Sequence, residues 1–117
     1  MSTAADCLFC RIAAKQQKAD IVAEDDGLIA FRDINPQAPT HLLIIPTEHV
    51  ASLDALSPAH AGMMARAVSF AARLARTLGL MPEGYRVVIN CGPGAGQSVF
   101  HLHVHLLGGR PMTWPPG

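Results

Sequence analysis

The chain has 117 residues and a mass of 12.4 kDa, which is the size of one compact domain. Half of the residues are hydrophobic and only 15% are charged, a composition that excludes an intrinsically disordered chain. Nine basic residues balance nine acidic ones, and this neutrality argues against nucleic acid or an anionic membrane as the main partner.

The first half of the chain predicts a short helix followed by three strands. The helix begins at the N-cap residue Asp6, carries apolar residues at helical spacing and ends near Gln17. Residues 21–23 and 28–31 are short apolar segments separated by Asp-Asp-Gly, a sequence that predicts a hairpin. After a proline-containing loop, residues 41–45 form the most continuous apolar run and predict a central strand.

The second half predicts one long helix and two more strands. Ser57 is the N-cap of the helix, Pro58 occupies its first position and Gly79 ends it. Strands are predicted at residues 85–90 and 99–107, too close together for a parallel crossover. Because βαβ alternation is also lacking, we predict an α+β fold, a five-stranded antiparallel sheet with two helices on one face.

Other sequence features concern domain organisation and compartment. The chain contains no repeat or linker, so we expect a single domain over residues 1–117. No apolar run approaches the roughly 18 residues of a membrane span, and the N-terminal segment lacks a signal-peptide pattern. Three cysteines are too few, and an odd number, for a disulfide-stapled secreted domain. We therefore expect a cytoplasmic protein that binds neither membrane nor nucleic acid.

The most informative segment is HLHVHLL at residues 101–107. Successive side chains of a strand point to opposite faces, so His101, His103 and His105 are predicted to share one face. Each imidazole has a donor and an acceptor that need partners, which excludes a purely apolar core face. Scattered surface histidines are the plainer alternative, and the strict alternation disfavours it.

Two chemical interpretations of this histidine row compete. A single metal bound by all three side chains is disfavoured, because His101 and His105 lie roughly 13 Å apart along an extended strand. Catalysis is favoured, because neutral imidazole attacks phosphorus near pH 7 and imidazolium protonates a leaving group. The glycine-rich loop at residues 92–98 would let backbone N–H groups approach a phosphate, with a plain turn as the alternative.

With these residues, the sequence resembles the histidine triad (HIT) family, and within it the histidine triad nucleotide-binding (Hint) branch. HLHVHLL matches the family motif at every position, and the similarity extends through FRDINPQAPTHLLIIPTEH and GYRVVINCGPGAGQS to LLGGRPMTWPPG. It covers nearly the whole chain from Cys7 onward. The resemblance implies a HIT domain and a homodimer with a continuous ten-stranded sheet.

The resemblance also implies an activity. Members of this branch are purine nucleoside phosphoramidases, nucleotidyl hydrolases that cleave adenosine phosphoramidates and related adenylates to AMP through a covalent nucleotidyl-histidine. The implied ligands are purine nucleotides, AMP, GMP or their phosphoramidates, and catalysis would need no cofactor. Two alternatives stay open: a nucleotide-binding adaptor protein with incidental catalysis, and a dinucleoside polyphosphate hydrolase.

Catalytic roles follow from the resemblance residue by residue. His103 corresponds to the nucleophile, and His105 to the neighbour that contacts the phosphate and helps to protonate the leaving group. His41 and the backbone around His101 correspond to the relay that fixes the tautomer of the nucleophile.

The implied nucleotide contacts surround these histidines. Asn90 and Ser98 correspond to residues that hydrogen-bond the phosphate and leaving-group region, and Asp33 to the carboxylate that accepts from both ribose hydroxyls. Core packing is the alternative for the apolar members of the set. The predicted base slot and the contacts from the glycine-rich loop are Phe9, Ile12, Leu28, Phe31 and Ile34, and Gly96 and Gln97.

Cys7 and Cys10 form a CxxC pair with metal-ligand spacing, which is half of a metal site. A redox pair is the alternative, although no βαβ context surrounds it. Some histidine triad proteins resemble this chain in having CxxC with two distant histidines that bind structural zinc, and the matching positions are His49 and His101. We therefore expect a structural zinc held by two cysteines and two histidines, and we expect His60 to be an inert surface residue.

The C-terminal residues 108–117 are predicted to form an extended arm. Three prolines prevent this segment from joining a helix or a central strand. The resemblance places the arm, with Trp114, beside the active site of a partner subunit.

Overall fold

The computed structural model describes residues 6–117, which form a five-stranded antiparallel sheet in the order β1-β2-β3-β5-β4. This architecture confirms the predicted α+β fold. Residues 1–5 lie outside the described residues. They are part of the predicted single domain and of the N-terminal segment that lacks a signal-peptide pattern. The elements in chain order are α1 (Leu8–Ala13), β1 (Ile21–Asp25), β2 (Leu28–Arg32), β3 (Thr40–Pro46), α2 (Ala61–Thr77), β4 (Tyr85–Val88) and β5 (Val104–Gly108).

The larger core lies between the sheet and α2. Alternate residues of the central strands, such as Ile44 of β3 and Val104 of β5, point to this face and are fully buried. Burying one such large apolar side chain contributes about 1.5–3 kcal/mol. The buried residues of α2 recur at helical spacing and are Met63, Ala67, Phe70, Ala71, Leu74 and Ala75.

A smaller apolar cluster covers the other face of the sheet, beneath α1. Phe9 and Ile12 of α1 pack there against Ile29, Phe31, Leu43 and Ile45 of β2 and β3. The two helices therefore lie on opposite faces, and the prediction that both lie on one face is wrong. The physical reason is visible in β3, whose residues after Thr40 are all buried and need cover on both sides.

Both helices begin later than predicted. The N-cap of α1 is Cys7 rather than Asp6, because the Cys7 Sγ accepts a hydrogen bond from the Cys10 N–H at 3.3 Å. This helix ends at Ala13, well before Gln17.

The segment before α2 is a 3-10 turn, Pro58–His60, capped by the predicted residue Ser57. His60 has a structural role there that the sequence did not indicate. Its Nδ1 accepts from the Ser57 N–H at 3.0 Å, and its Nε2 lies 3.1 Å from a carboxylate oxygen of Glu48. Within residues 6–117, no helix is both long and apolar enough to cross a bilayer.

The last strand begins at Val104 rather than Val99, so only His105 of the three histidines lies in the sheet ladder. The partner strand ends at Pro46, which has no N–H to donate, and its carbonyl accepts from the His101 side chain instead. The predicted alternation nevertheless continues upstream, since Leu102 packs in the α2 core.

Candidate active site and metal cluster

A cavity of about 430 Å³ opens on the α1 face of the sheet, a volume within the range of small-molecule sites. Its walls are apolar side chains of α1, β2 and β3, and two of the three alternating histidines lie at its lining. The structure brings many of the predicted site residues to this one cavity. They are Phe9, Ile12, Phe31, Asp33, Ile34, Gly96, Ser98, His103 and His105.

His103 is held in one tautomer by its own backbone neighbourhood. Its Nδ1 lies 2.8 Å from the carbonyl oxygen of His101. A carbonyl can only accept, so the proton of the neutral ring is on Nδ1, and Nε2 keeps its lone pair. His103 is 7% exposed and lines the cavity, so in its neutral form the ring presents the Nε2 lone pair there.

His105 carries the opposite arrangement of protons, and His41 sets it. The Gln37 N–H donates to Nδ1 of His41 at 3.0 Å, which places the His41 proton on Nε2. That N–H donates to Nδ1 of His105 at 2.9 Å, so His105 is protonated on Nε2. This Nε2–H is buried and has no hydrogen-bond partner among residues 6–117. A ligand in the cavity can therefore accept from it.

This geometry divides the predicted relay into two parts. The carbonyl of His101 fixes the tautomer of His103, whereas His41 contacts and fixes His105. Burial lowers the pKa of His105 to about 4, with a further contribution from His103 and His41, while the carboxylate of Asp33 opposes the shift. His105 is thus neutral at pH 7 in the ligand-free protein.

Asp33 lies at the end of β2 beside these histidines. Its Oδ2 is 3.5 Å from Nε2 of His41, and its Oδ1 accepts from the Asn35 N–H at 2.8 Å. Burial lowers the pKa of His41, and the negative charge of Asp33 acts in the other direction. The carboxylate lines the cavity, where its oxygens can accept from hydroxyl groups of a ligand.

The glycine-rich loop is shaped by Gln97, whose side chain does not line the cavity. Gln97 is 2% exposed. Its Oε1 accepts from the Gly92 N–H at 2.9 Å, and its Nε2 donates to the carbonyls of Ala51 and Val99 at 2.9 and 3.1 Å. Because the polar atoms of this side chain are engaged within the protein, the predicted contact between Gln97 and the nucleotide stays a prediction for its backbone alone.

Gly96 and Asn90 are neighbours at the same loop. Gly96 has a φ of 96° and lines the cavity, and a Cβ at this position would lie 3.8 Å from Nδ2 of Asn90. Asn90 is half-buried, and β4 ends at Val88, two residues earlier than predicted.

Two apolar predictions have different outcomes. Leu28 is buried in the α2 core and not in the base slot, because Leu28 and Phe31 are three residues apart on one strand and so point to opposite faces. Ile34 is fully exposed and lies at the rim of the cavity.

The C-terminal arm is attached to the rest of the chain by backbone carbonyls. The Arg86 guanidinium donates to the Thr113 carbonyl at 2.9 Å, and Nε of Arg110 donates to the Gln37 carbonyl at 2.9 Å. Trp114 is 82% exposed and does not line the cavity of its own chain.

A second cluster consists of two cysteines and two histidines, none of which lines the cavity. One ligand atom from each of Cys7, Cys10, His49 and His101 lies within 4.8 Å of all the others. The measured contacts are 3.3 Å from Cys7 Sγ to His101 Nδ1, 3.4 Å from Cys10 Sγ to the same atom, and 3.2 Å from Cys10 Sγ to His49 Nδ1. Zinc bonds of about 2.0–2.3 Å in a tetrahedron give ligand separations of about 3.3–3.8 Å, so the cluster has nearly the size that zinc requires.

The protonation of His101 also suits a metal ligand. Its Nε2 lies 2.8 Å from the Pro46 carbonyl, so Nε2 carries the proton and the lone pair of Nδ1 faces the thiols. Burial, with the Cys7 thiol beside it, raises the pKa of Cys10 to about 11 in the metal-free protein. A cation would reverse this effect, since metals bind the thiolate form.

Asp33, His41 and His105 also lie within 4.8 Å of one another, but their protons do not suit a metal. Nε2 of His41 faces the other two side chains, and this nitrogen is protonated because Nδ1 accepts from the Gln37 amide. The first cluster is thus arranged for a cation and the second for hydrogen bonding.

Several contributors to these sites are backbone groups that the sequence analysis missed. The Gln37 N–H and the Pro46 carbonyl set the tautomers of His41 and His101. Backbone groups cannot be recognised in a sequence, because nearly every residue has them, and only the folding of the loops brings these ones to the site.

Comparison with known proteins identifies the family. The family model described as the HIT domain matches residues 14–112. A purine nucleoside phosphoramidase of Escherichia coli is 42% identical over 93% of this chain and 92% of the relative, and a 14 kDa zinc-binding protein of Zea mays is 48% identical over 94% and 87%. The crystal structure of a HIT family hydrolase from Legionella pneumophila superposes with a TM-score of 0.93, at 51% identity, over 95% of this chain and 99% of that one. The protein therefore belongs to the histidine triad family.

Proposed function

We propose that the protein is a nucleotidyl hydrolase that cleaves the P–N bond of purine nucleoside phosphoramidates and related adenylates, releasing AMP or GMP. The observation that carries this proposal is the pair of oppositely protonated imidazoles at one cavity. His103 presents a lone pair on Nε2, and His105 presents an unpartnered N–H on the same atom. The name of the Escherichia coli relative supports the substrate class.

In the first proposed step, Nε2 of His103 attacks the phosphorus, a P–N(His) bond forms, and the bond from phosphorus to the leaving amine breaks. The ring becomes cationic, and its Nδ1–H donates to the His101 carbonyl, which stabilises that charge. The leaving amine needs a proton. A bound phosphate anion beside His105 favours the imidazolium form, which raises its pKa above the ligand-free value of about 4. The second proton comes from solvent and enters at Nδ1 of His105, and the Nε2–H of His41 then donates to the Asp33 carboxylate, whose Oδ2 is 3.5 Å away.

His105 then has two successive roles. Its Nε2–H donates to a phosphate oxygen, and the proton passes to the amine as the P–N bond breaks. In the second step water gives one proton to Nε2 of His105 as its oxygen bonds to the phosphorus, the bond from phosphorus to His103 breaks, and the nucleotide leaves with both histidines in their starting protonation states. No step uses a metal or another cofactor.

The remaining cavity residues fit the rest of a purine nucleotide. The Asp33 carboxylate accepts from the two ribose hydroxyls, and the purine packs between the apolar side chains of Phe9, Ile12 and Phe31. Ser98 and Asn90, at the ends of the glycine-rich loop, contact the phosphate and the leaving group.

We also propose that the cysteine–histidine cluster binds a structural zinc ion. The ligand separations and the His101 tautomer support this, as does the name of the Zea mays relative. Its four protein ligands leave no open position for a substrate. Metal analysis of purified protein is expected to give one Zn²⁺ per chain.

A homodimer is proposed through strand β4. This strand lies at an edge of the sheet, and Val87 on it is exposed. Pairing two such edges about a two-fold axis would give the ten-stranded sheet and would bring the Trp114 arm of each subunit towards its partner.

Incubation with adenosine phosphoramidate tests the activity. We expect AMP as the product, trapping of a nucleotidyl-protein adduct on His103, and loss of turnover by at least about 1000-fold in His103→Ala with AMP binding retained. Turnover in the variant equal to that of the wild type would contradict the mechanism. AMP binding with hydrolysis no faster than in buffer would indicate an adaptor protein, and a strong preference for dinucleoside polyphosphates would indicate the other hydrolase class.

A further inference from the structure

The segment that carries His103 lies outside the sheet and needs other anchors. Residues 99–103 precede β5, and the strand pairing on both sides begins only at Val104 and His105. One anchor is the Leu102 N–H, which donates to the Val50 carbonyl at 2.6 Å. A further anchor is the His101 side chain, which is fully buried between the Pro46 carbonyl and the two thiols.

His101 thereby connects the metal cluster to the reacting imidazole within one residue. Its side chain is a ligand candidate, with Nδ1 at 3.3 Å from Cys7 Sγ. Its backbone carbonyl accepts from Nδ1 of His103 at 2.8 Å and fixes that tautomer. A displacement of the His101 side chain moves the carbonyl on which the His103 lone pair depends.

Phe9 makes a second connection between the same two places. It stands between Cys7 and Cys10 in the chain, and its ring meets the His103 ring edge-to-face, with centroids 5.1 Å apart and an interplanar angle of 89°. It also lines the cavity. Helix α1 has only six residues, so its position depends on tertiary contacts and on the Cys7 cap rather than on helix propensity.

We propose that metal binding by Cys7, Cys10, His49 and His101 positions the nucleophile, with His101 and Phe9 as the positioning residues. With the metal bound, the His101 carbonyl and the Phe9 ring hold His103 in the Nδ1–H tautomer and shape the apolar slot. Without it, both connections loosen. The inference rests on the proposed function, in which His103 attacks the substrate, and it adds a dependence on a metal that takes part in no chemical step.

The test compares the full chain loaded with Zn²⁺ and the same protein after chelation. Nitrogen-15 NMR of the imidazoles identifies the His103 tautomer. Calorimetric titration measures the affinity of the apolar slot for AMP, and circular dichroism shows whether the sheet stays folded. We expect a single Nδ1–H tautomer in the loaded protein. After metal removal we expect averaged His103 signals and AMP binding several-fold weaker, both restored by added Zn²⁺.

Matched variants separate the metal from the thiols. Cys10→Ser is expected to resemble the chelated protein even with Zn²⁺ present, whereas Cys91→Ser, which changes the one cysteine outside the cluster, is expected to resemble the wild type. His49→Cys keeps four ligands and is expected to preserve both the tautomer and AMP affinity.

If chelation unfolds the chain, Phe9→Leu provides the alternative test, because this variant keeps all four metal ligands. With Zn²⁺ bound, this variant is expected to show partial averaging of the His103 signals and weaker AMP binding. Unchanged His103 signals and AMP affinity after chelation, or in Phe9→Leu, would overturn the proposal, and so would a protein that binds no Zn²⁺. The NMR measurement needs no turnover, so a failure of phosphoramidate hydrolysis counts against the proposed function alone.

Discussion

Two histidines line one cavity with Nε2 in opposite protonation states, and in each case a single backbone group is the cause. A carbonyl that can only accept gives His103 a free lone pair on Nε2, and an amide that can only donate leads, through His41, to an N–H on Nε2 of His105. In the proposed mechanism, the roles of nucleophile and donor are thus assigned before any substrate binds.

Removing the imidazole of His41 tests this distribution at one residue. In His41→Asn the donor to Nδ1 of His105 is lost or misplaced, and His105 populates both tautomers. We expect kcat for adenosine phosphoramidate to fall at least about tenfold, with the Kd for AMP nearly unchanged.

The control for this variant is Gln37→Ala, which keeps the backbone N–H that His41 accepts from while removing an exposed side chain. It should retain wild-type kinetics. Equal kcat values for His41→Asn and the wild type would show that His105 needs no orienting partner.

The low pKa of His105 also predicts how stability depends on pH. The folded-state pKa is about 4, below the usual value of 6.5, because burial and two neighbouring imidazoles disfavour the charged ring. Between these values the unfolded chain binds more protons than the folded chain, so the free energy of unfolding falls as the pH decreases from about 6.5 to about 4.

Urea unfolding across that pH range measures the effect. His105→Asn should flatten the curve relative to the wild type, although His41, with a lowered pKa of its own, leaves part of the slope. A variant that keeps the full slope would place the responsible protons on other groups.

Among the structural elements, the loop before β5 owes its shape to one buried amide. Gln97 bridges the Gly92 N–H and the carbonyls of Ala51 and Val99, and truncation leaves these groups without their partner. We expect Gln97→Ala to lower the free energy of unfolding by about 1–3 kcal/mol and to weaken AMP binding. Chemical denaturation and AMP titration check both effects.

Gln37→Ala again provides the comparison, because it removes a glutamine side chain that is exposed. A loop that tolerates Gln97→Ala without loss of stability or affinity would show that water replaces the amide.

Much of the fold and part of the site follow from residue patterns in the sequence. The alternation at residues 101–107 correctly separated the histidine face from the α2 core, where Leu102 lies, and the caps and breakers around Ser57 and Gly79 located the long helix. The same period-of-two rule argues against Leu28 as a neighbour of Phe31, because residues three apart on a strand face opposite ways. The start of β5 was not predictable, since it depends on where the partner strand stops.

Local patterns also leave proton positions undetermined. The histidine row identifies the imidazoles, but their tautomers depend on the Gln37 amide and the carbonyls of Pro46 and His101, groups that every residue has. The roles of His41 and Gln97 therefore required the tertiary structure, because only folding decides which backbone group faces which side chain.

On the scale of the whole molecule, the sheet has two edge strands, β1 and β4, and the β4 edge is the one beside the C-terminal arm. The β4 edge exposes Val87 and lies beside the C-terminal arm through the contact between Arg86 and Thr113. A short apolar edge of this kind pairs readily with a copy of itself, because each chain supplies both the donors and the acceptors.

Charge at that edge tests the proposed dimer. In Val87→Lys two like charges would approach each other across the two-fold axis, and we expect sedimentation to show a monomer where the wild type is a dimer. Leu53→Lys is the matched control, since Leu53 is 41% exposed, close to the 39% of Val87, but lies in the turn after β3. A dimer that persists in Val87→Lys, or that is lost equally in Leu53→Lys, would exclude β4 pairing as its basis. If Val87→Lys is monomeric and retains AMP binding but changes its preference among leaving amines, the partner's arm contacts the leaving group while the nucleotide is held within one chain.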